Sequence, residues 1–471
     1  MPFSCGCPDP NTQPRKNMPI QALTNLLSER TLTEQAVIAK YGRDESPYPP
    51  ALPLAVCLPE SVDEVVEIVR ICREASTPII PFGAGSSLEG GVLPTCPAIA
   101  LSLERMNRIV RYHPHDFSVT VQAGVTRLQL NAFLQEYGQF FSVDPGADAT
   151  LGGMASTRAS GTNTVRYASM RENVLALQVV LADGQVIRTG KNVRKSAAGY
   201  DLTRVFVGAE GTLGIITEVT VRLYPQPAAV AAAMVSFPSI AQAIHTVQAV
   251  LQAGIPIARV ELLDEVAIGA VRQYAGLELE VQPTLFLEFH GSQAGVTKQS
   301  EQVQQFAAQH TGGIFRWALA PDERAKLWQA RHNAYHAAKA MRPNCRVVST
   351  DVCVPLSQLE TCLLETKADI LHAALPCPLV GHVGDGNFHV MLVVENDNPQ
   401  EYLLAQEINQ RLVTRAQRLG GTCSGEHGIG LGKRKFMLAE HGTAIHTMQL
   451  LKNSLDPKNL LNPGKVLPDD V

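Results

Sequence analysis

The 471-residue chain contains no Cys-x-x-Cys pair. Its ten cysteines are scattered, and the closest approach to a motif is Cys5-x-Cys7. The four-thiolate spacing of an iron–sulfur cluster or a structural zinc site is therefore missing. The cysteines read as reduced, mostly buried small residues. No stretch reaches 18 uninterrupted apolar residues. The most apolar segment, AAVAAAMVSF at 228–237, is short and runs into Pro238, so no transmembrane helix is predicted. The N-terminus, MPFSCGCPDPNTQPRKNMP, lacks the apolar core of a secretory signal. The simplest expectation is a bacterial-type cytoplasmic protein, with peripheral attachment at the inner membrane left open. Blocks of like charge are missing too. The formal charge of −4 gives no reason to expect nucleic acid or an anionic membrane as partner. Internal repeats and low-complexity tracts are absent.

What is present is ordinary globular material, 45% hydrophobic and 18% charged. The length exceeds one ordinary core, so two or three domains are expected. Residues 20–45 carry apolar positions at helical spacing, and a Pro-rich link, SPYPPALP, follows at 46–53. An αβ pattern then begins. SVDEVVEIVRICREA reads as an amphipathic helix opened by a capping box, with Ser61 as N-cap and Glu64 three residues on. TPIIPF at 77–82 reads as a strand. A helix is expected over 126–138, and Asp183-Gly184 marks a hairpin turn. From Pro225 to Pro227 the composition changes, and strands alternate with longer helices in an α/β or α+β pattern.

Two stretches are built for close backbone approach. PFGAGSSLEGG at 81–91 follows a strand, and its successive amides could cradle an anion. It is not a Rossmann fingerprint, because Leu88 stands where the third glycine would be. It is not a P-loop, since no Gly-Lys-Ser/Thr follows. DPGADATLGGMASTRASGTNTVRYASMRENV at 144–174 is too small-residued to build a core alone. With GAEGTLGIITEV at 208–219, these segments suit a dinucleotide laid across a domain.

A third motif is HVGDGNFH at 382–389. PLVGHV and FHVMLVV both read as strands around an Asp-Gly turn. A two-residue loop at Asp385-Gly386 pairs His382 with His389, placing their Cβ atoms roughly 4.5–5.5 Å apart on one face. Two imidazoles so placed can reach one metal ion. A slip of one residue would separate them, and the pair could merely flank a turn. GTCSGEHGIG at 421–430 adds adjacent Glu426 and His427, whose side chains cannot share one strand face.

Together PFGAGSSLEGGV, the 144–174 stretch, VGAEGTLGIITEVTVRLYP and the tail LLNPGKV resemble the vanillyl-alcohol-oxidase (PCMH) type of FAD-binding protein. Within it the chain resembles the FAD-linked D-2-hydroxyacid dehydrogenase branch, which includes D-lactate dehydrogenases and glycolate oxidase large subunits. The resemblance runs from about Pro49 to Val466. The fold it implies is α+β. A helical segment (1–47) precedes a two-subdomain PCMH-type FAD-binding domain (48–227). An α/β ferredoxin-like substrate domain (228–425) and a helical segment returning to the FAD domain (426–471) follow.

The resemblance implies that Pro81 and the loop Gly83, Ala84, Gly85, Ser86 and Ser87 bind the FAD pyrophosphate. Asp144, Pro145, Gly146, Thr150, Gly152, Gly153, Ser156 and Gly161 would lie along the cofactor. Glu210, Gly211 and Ile216 would sit near the adenosine part and Asn462 near the flavin ring. Members with covalent flavin often carry a histidine in the first loop; Ser86 and Ser87 stand there, so non-covalent FAD is expected. His382, His389 and Glu426 resemble the ligands of one divalent metal (zinc, manganese or iron), with His427 the active-site base. Arg331, in LWQARHNAYH, is the candidate cation for a substrate carboxylate. His332 and His336 read as structural, and Glu288 as a possible support to the site.

These roles imply oxidation of a small D-2-hydroxyacid to the 2-oxoacid, with electrons passed to a cytochrome, a quinone or an electron-transfer protein. No nucleic acid partner is expected, and a dimer is compatible with the sequence. D-lactate is the first candidate substrate; glycolate, D-2-hydroxyglutarate and a flavin-free zinc hydrolase are the rivals.

Overall fold

The computed structural model describes residues 18–469, so the Cys5-x-Cys7 pair lies outside the described residues. The chain divides into two compact units. One comprises the residues up to Ser160, Ser169–Pro225 and Glu426 onward; the other comprises Gly161–Ala168 and Gln226–Gly425.

The first unit holds two principal sheets. Three strands, Ala55–Cys57, Ile99–Ser102 and Ile79–Phe82, pair in parallel, as a chain alternating strand and helix requires. The helix Val62–Glu74 covers them, burying Val65, Ile68, Val69 and Cys72 at helical spacing. Ser61 Oγ accepts the Glu64 amide at 3.3 Å, as the sequence predicts. The reciprocal bond goes elsewhere: the Glu64 carboxylate accepts from the Glu60 amide and from Arg30. The second sheet is antiparallel and five-stranded, ordered Ile109–His113, Ser118–Gln122, Ile215–Arg222, Val174–Val180 and Val186–Arg188. The small-residue stretch forms short helices, among them Leu151–Thr157 and Met170–Asn173. It is less purely a loop than its composition suggests, because Leu151, Met154, Ala155 and Met170 are buried in the core. The C-terminal segment also belongs to this unit, where Leu461 bridges Ile79 beside the parallel sheet.

The second unit is an antiparallel sheet with helices. Its order is Arg316–Ala318, Ala229–Ser236, Thr284–Gly291, Ile257–Leu263, Leu379–His382, Asn387–Glu395 and Cys345–Ser349, and Val352–Cys353 also pairs with Asn387–Glu395. Alternate residues of these strands, including Ala232, Met234, Phe286, Leu263, Val380 and Met391, form one apolar face. The helices Glu265–Ala275 and Pro321–Ala340 cover it through Ile268, Val271, Trp328, Ala334 and Ala338. Helix Pro321–Ala340 therefore fixes the heights at which its polar side chains meet the sheet. Among the described residues six cysteines are buried.

Candidate functional site

The first unit contains a cleft at the C-terminal end of the strand Ile79–Phe82, about 600 Å³ when the solvent-open space at its mouth is included. Pro81, Gly83, Ser87, Thr150, Gly152, Gly153, Ser156, Glu210, Gly211 and Ile216 line it, with Phe82, Leu103 and Ala123. Thr150 caps the helix Leu151–Thr157, its Oγ1 accepting the Gly153 amide at 3.2 Å. A Cβ on Gly83 would meet Thr150 Oγ1 at 2.6 Å, so only glycine lets the loop lie against the helix start. The walls are mostly backbone and small side chains. That matches the demand of a dinucleotide, whose phosphates and rings need backbone within reach. Ala84, Gly85, Ser86, Asp144, Pro145 and Gly146 are not among the lining residues, and Gly161 falls in the second unit.

Glu210 does more than line the cleft. Its buried carboxylate accepts the Ile429 amide at 2.7 Å and the Gly430 amide at 2.9 Å. Burial pushes this carboxyl above its ordinary value, against the pull of those two amides. Asn462 donates through Nδ2 to the carbonyls of Gly91 (3.0 Å) and Glu210 (2.7 Å). Glu210 and Asn462 thus tie the C-terminal segment to the cleft wall. His427, half-buried, stands two residues before the first amide that Glu210 holds. Glu426 accepts a hydrogen bond from Ser160 Oγ at 2.8 Å in the same unit.

In the second unit the hairpin differs from the expected register. His382 pairs with Asn387, and His389 pairs with Val380. The loop is four residues, Val383–Gly386, rather than Asp385-Gly386 alone. The error is two positions, so the parity survives and both histidines still share one face. Their ring centroids lie 5.4 Å apart with planes at 83°. Both are buried. His382 Nδ1 lies 2.7 Å from Glu261 Oε1, and His389 Nδ1 lies 2.9 Å from the Thr350 carbonyl. Each Nδ1 faces an acceptor and donates to it, an arrangement that in a neutral ring turns Nε2 into the ligating nitrogen. Imidazoles fixed in this tautomer fit a divalent cation.

Glu261 escaped the sequence reading. It lies on Ile257–Leu263, one position beyond the Leu262–Gly381 pair, and its side chain is 1% exposed. Its second oxygen accepts Arg331 Nε at 2.8 Å. Burial alone would raise this carboxyl, but the His382 and Arg331 partners outweigh it and hold it below the usual carboxylate range. Arg331 is therefore not a lone cation. Two positions along the same strand, Arg259 donates to Asn163 Oδ1 at 2.8 Å and lies 3.5 Å from Glu288 Oε1. Glu288 also meets His290 Nε2 at 2.8 Å. His332 stacks on Trp328, and burial followed by Arg259 and Arg331 lowers its pKa. The one available signal for Glu261 was its alternation with Arg259 in ARVELL, which places both charges on a single strand face.

Comparison with known proteins divides the chain at the same point after Pro225, although the second family match runs on into the C-terminal segment of the first unit. Residues 53–190 match the FAD binding domain model, and residues 226–466 match the model of FAD linked oxidases, C-terminal domain. The chain is 50% identical over 436 residues to a Danio rerio protein named probable D-lactate dehydrogenase, mitochondrial, covering 92% of this chain and 88% of that one. It is 40% identical over 455 residues to the Arabidopsis thaliana D-lactate dehydrogenase [cytochrome], mitochondrial, covering 96% and 80%. It is 33% identical over 438 residues to glycolate oxidase subunit GlcD of Bacillus subtilis, covering 92% of each. In fold it resembles 4-ethylphenol oxidase from Gulosibacter chungangensis, with TM-score 0.79, 17% identity and coverage of 98% and 99%. The cytoplasmic expectation is contradicted, since the two D-lactate dehydrogenase relatives are named as mitochondrial. A search for apolar runs could not have registered this. Mitochondrial addresses are amphipathic rather than apolar. Among the described residues no helix is long and apolar enough to cross a membrane, which leaves the compartment open.

Proposed function

The chain belongs to the FAD-linked oxidases, in their D-2-hydroxyacid dehydrogenase branch, and from that premise we propose that it oxidises D-lactate to pyruvate. FAD, held non-covalently by the first unit, supplies the two-electron acceptor of the reaction. A cytochrome, a quinone or an electron-transfer protein takes the electrons onward; the name of the Arabidopsis relative favours a cytochrome.

The observation that carries this reading is the chain His382–Glu261–Arg331. A 2-hydroxyacid bears its carboxylate and its hydroxyl on adjacent carbons. One buried carboxylate holds, by its two oxygens, an imidazole suited to a cation and a guanidinium suited to a carboxylate. Arg331 binds the substrate carboxylate. His382 and His389 would hold a divalent cation, zinc, manganese or iron, with Glu426 as the third ligand expected from the sequence. A cation held there would supply Lewis-acid polarisation of the substrate hydroxyl. His427 takes the hydroxyl proton as general base.

Anaerobic titration of the flavin with D-lactate, L-lactate, glycolate and D-2-hydroxyglutarate tests the proposal. D-lactate should bleach the yellow absorbance fastest and at the lowest concentration. Preferential bleaching by glycolate or D-2-hydroxyglutarate would reassign the substrate, and no bleaching by any hydroxyacid would refute the activity.

A further inference from the structure

We propose that Glu261 is a positioning residue, one buried carboxylate that sets both the metal-facing tautomer of His382 and the placement of Arg331. The inference rests on the proposed function and deepens it. Three elements meet at this carboxylate: the strand Ile257–Leu263, the end of the strand Leu379–His382, and the helix Pro321–Ala340. Each of its oxygens has its own partner, at 2.7 Å and 2.8 Å.

A purely structural ion pair explains this poorly. Burying a carboxylate is costly, and a well-packed apolar residue often serves stability as well. The neighbouring charges do not require Glu261 either, because Arg259 and His290 already face Glu288. What Glu261 provides is a link. With Nδ1–H donated to a carboxylate, the His382 ring is fixed in orientation and made a more basic ligand. His389 is fixed by the Thr350 carbonyl instead. The two Nδ1 atoms thus have different hydrogen-bond acceptors, with Asp351 Oδ1 a further 3.8 Å neighbour of His389 Nδ1. Among the described residues the bond from Arg331 to Glu261 uses Nε, which keeps the two terminal amino groups for a carboxylate fork. Moving Glu261 would disturb both functions together.

The test compares FAD-loaded wild type with Glu261→Gln and Glu261→Asp. Three quantities are measured: FAD content, affinity for Zn²⁺ or Mn²⁺ by chelator competition, and KM and kcat for D-lactate. Gln can present an acceptor to only one of the two donors. Glu261→Gln should keep wild-type FAD content, bind the metal about 10–100-fold more weakly, and raise KM by a larger factor than it lowers kcat. Glu261→Asp keeps the charge and should recover part of both losses. Wild-type metal affinity and KM in Glu261→Gln would overturn the proposal. So would a loss confined to one of the two quantities, which would show that the carboxylate serves only one partner. If Glu261→Gln fails to fold, Glu261→Asp carries the test, and wild-type values for both quantities there overturn it. Failure of the functional reading looks different: wild type itself would then bind no metal or reduce no flavin with any D-2-hydroxyacid.

Discussion

His382 and His389 are diagonal rather than opposite partners on their hairpin, yet their ring centroids lie 5.4 Å apart with planes at 83°. Their Nδ1 atoms meet different acceptors, a carboxylate and a backbone carbonyl. His382→Ala and His389→Ala should each lose bound metal while retaining FAD, because the cofactor cleft belongs to the first unit. Turnover should fall by ~100-fold or more, the equivalent of about 3 kcal/mol of transition-state stabilisation. Metal analysis beside the flavin spectrum checks both. Metal retained at wild-type affinity in either variant would remove that histidine from the ligand set.

The loop that aims this pair should be sensitive at one position. Gly386 has φ +88°, and a Cβ there would lie 2.1 Å from the Val354 carbonyl oxygen. Its own carbonyl accepts the Val354 amide at 3.0 Å, so the loop cannot simply move away. Gly386→Ala should destabilise the second unit by about 1–3 kcal/mol and weaken metal binding. Urea unfolding followed by far-UV circular dichroism measures the first, and chelator competition the second. An unchanged midpoint would mean that the loop relaxes without strain.

The hairpin also shows what the sequence can and cannot reveal. Apolar flanks and Asp-Gly disclosed the turn, and period-two alternation put both histidines on one face. Loop length was not legible, because a third strand decides it. Val352–Cys353 pairs with Asn387 and Phe388, and Val354 binds Gly386, holding the turn open over four residues. Glu261 was hidden for a related reason. A strand with Arg and Glu on one face reads as solvated; its burial comes from a helix that begins sixty residues later. The cofactor loops were legible because backbone access has a local signature in Gly, Ser and Thr. Glu210 and Asn462 carry no such signature for their actual bonds, which join segments some 220–370 residues apart.

Glu210 offers a direct check on that junction. Glu210→Ala removes the acceptor of two backbone amides, and leaving buried donors unsatisfied costs about 1–3 kcal/mol each. FAD should bind at least 10-fold more weakly, since the same residue lines the cleft. Fluorescence titration of the apoprotein with FAD reads this out. Glu210→Gln retains one carbonyl acceptor and should fall between the alanine variant and wild type. Equal FAD affinity in all three proteins would contradict the anchoring role.

Acid should weaken the first unit through Glu64. Its carboxylate makes a two-pronged pair with Arg30, each contact 2.6 Å, and that bond holds its pKa below the ordinary value. A carboxyl with a depressed folded-state pKa stabilises above the unfolded value, about 4.3, and the stabilisation is lost as pH falls through the folded one. Both side chains are partly exposed, so the pair contributes about 1 kcal/mol at neutral pH. Glu64→Gln should therefore unfold at lower urea than wild type at pH 7, and the gap should close at acid pH. A gap that persists unchanged at low pH would show that the contribution is packing rather than charge.

His427 should separate the two halves of the catalytic cycle. A general base is needed only while the hydroxyacid loses its hydroxyl proton, and a positioned base contributes about 10²–10⁴-fold to that step. It has no part in passing electrons from the reduced enzyme to an acceptor. His427→Ala should therefore retain FAD and metal, yet reduce its flavin at least 100-fold more slowly with D-lactate under anaerobic conditions. Once reduced chemically, the variant should reoxidise with an artificial acceptor at the wild-type rate. Stopped-flow absorbance resolves the two half-reactions. Slowing of both by the same factor would instead indicate a displaced flavin, which Glu210→Ala should reproduce because Glu210 anchors the segment that follows His427. Near-normal flavin reduction in His427→Ala would assign proton removal to another group.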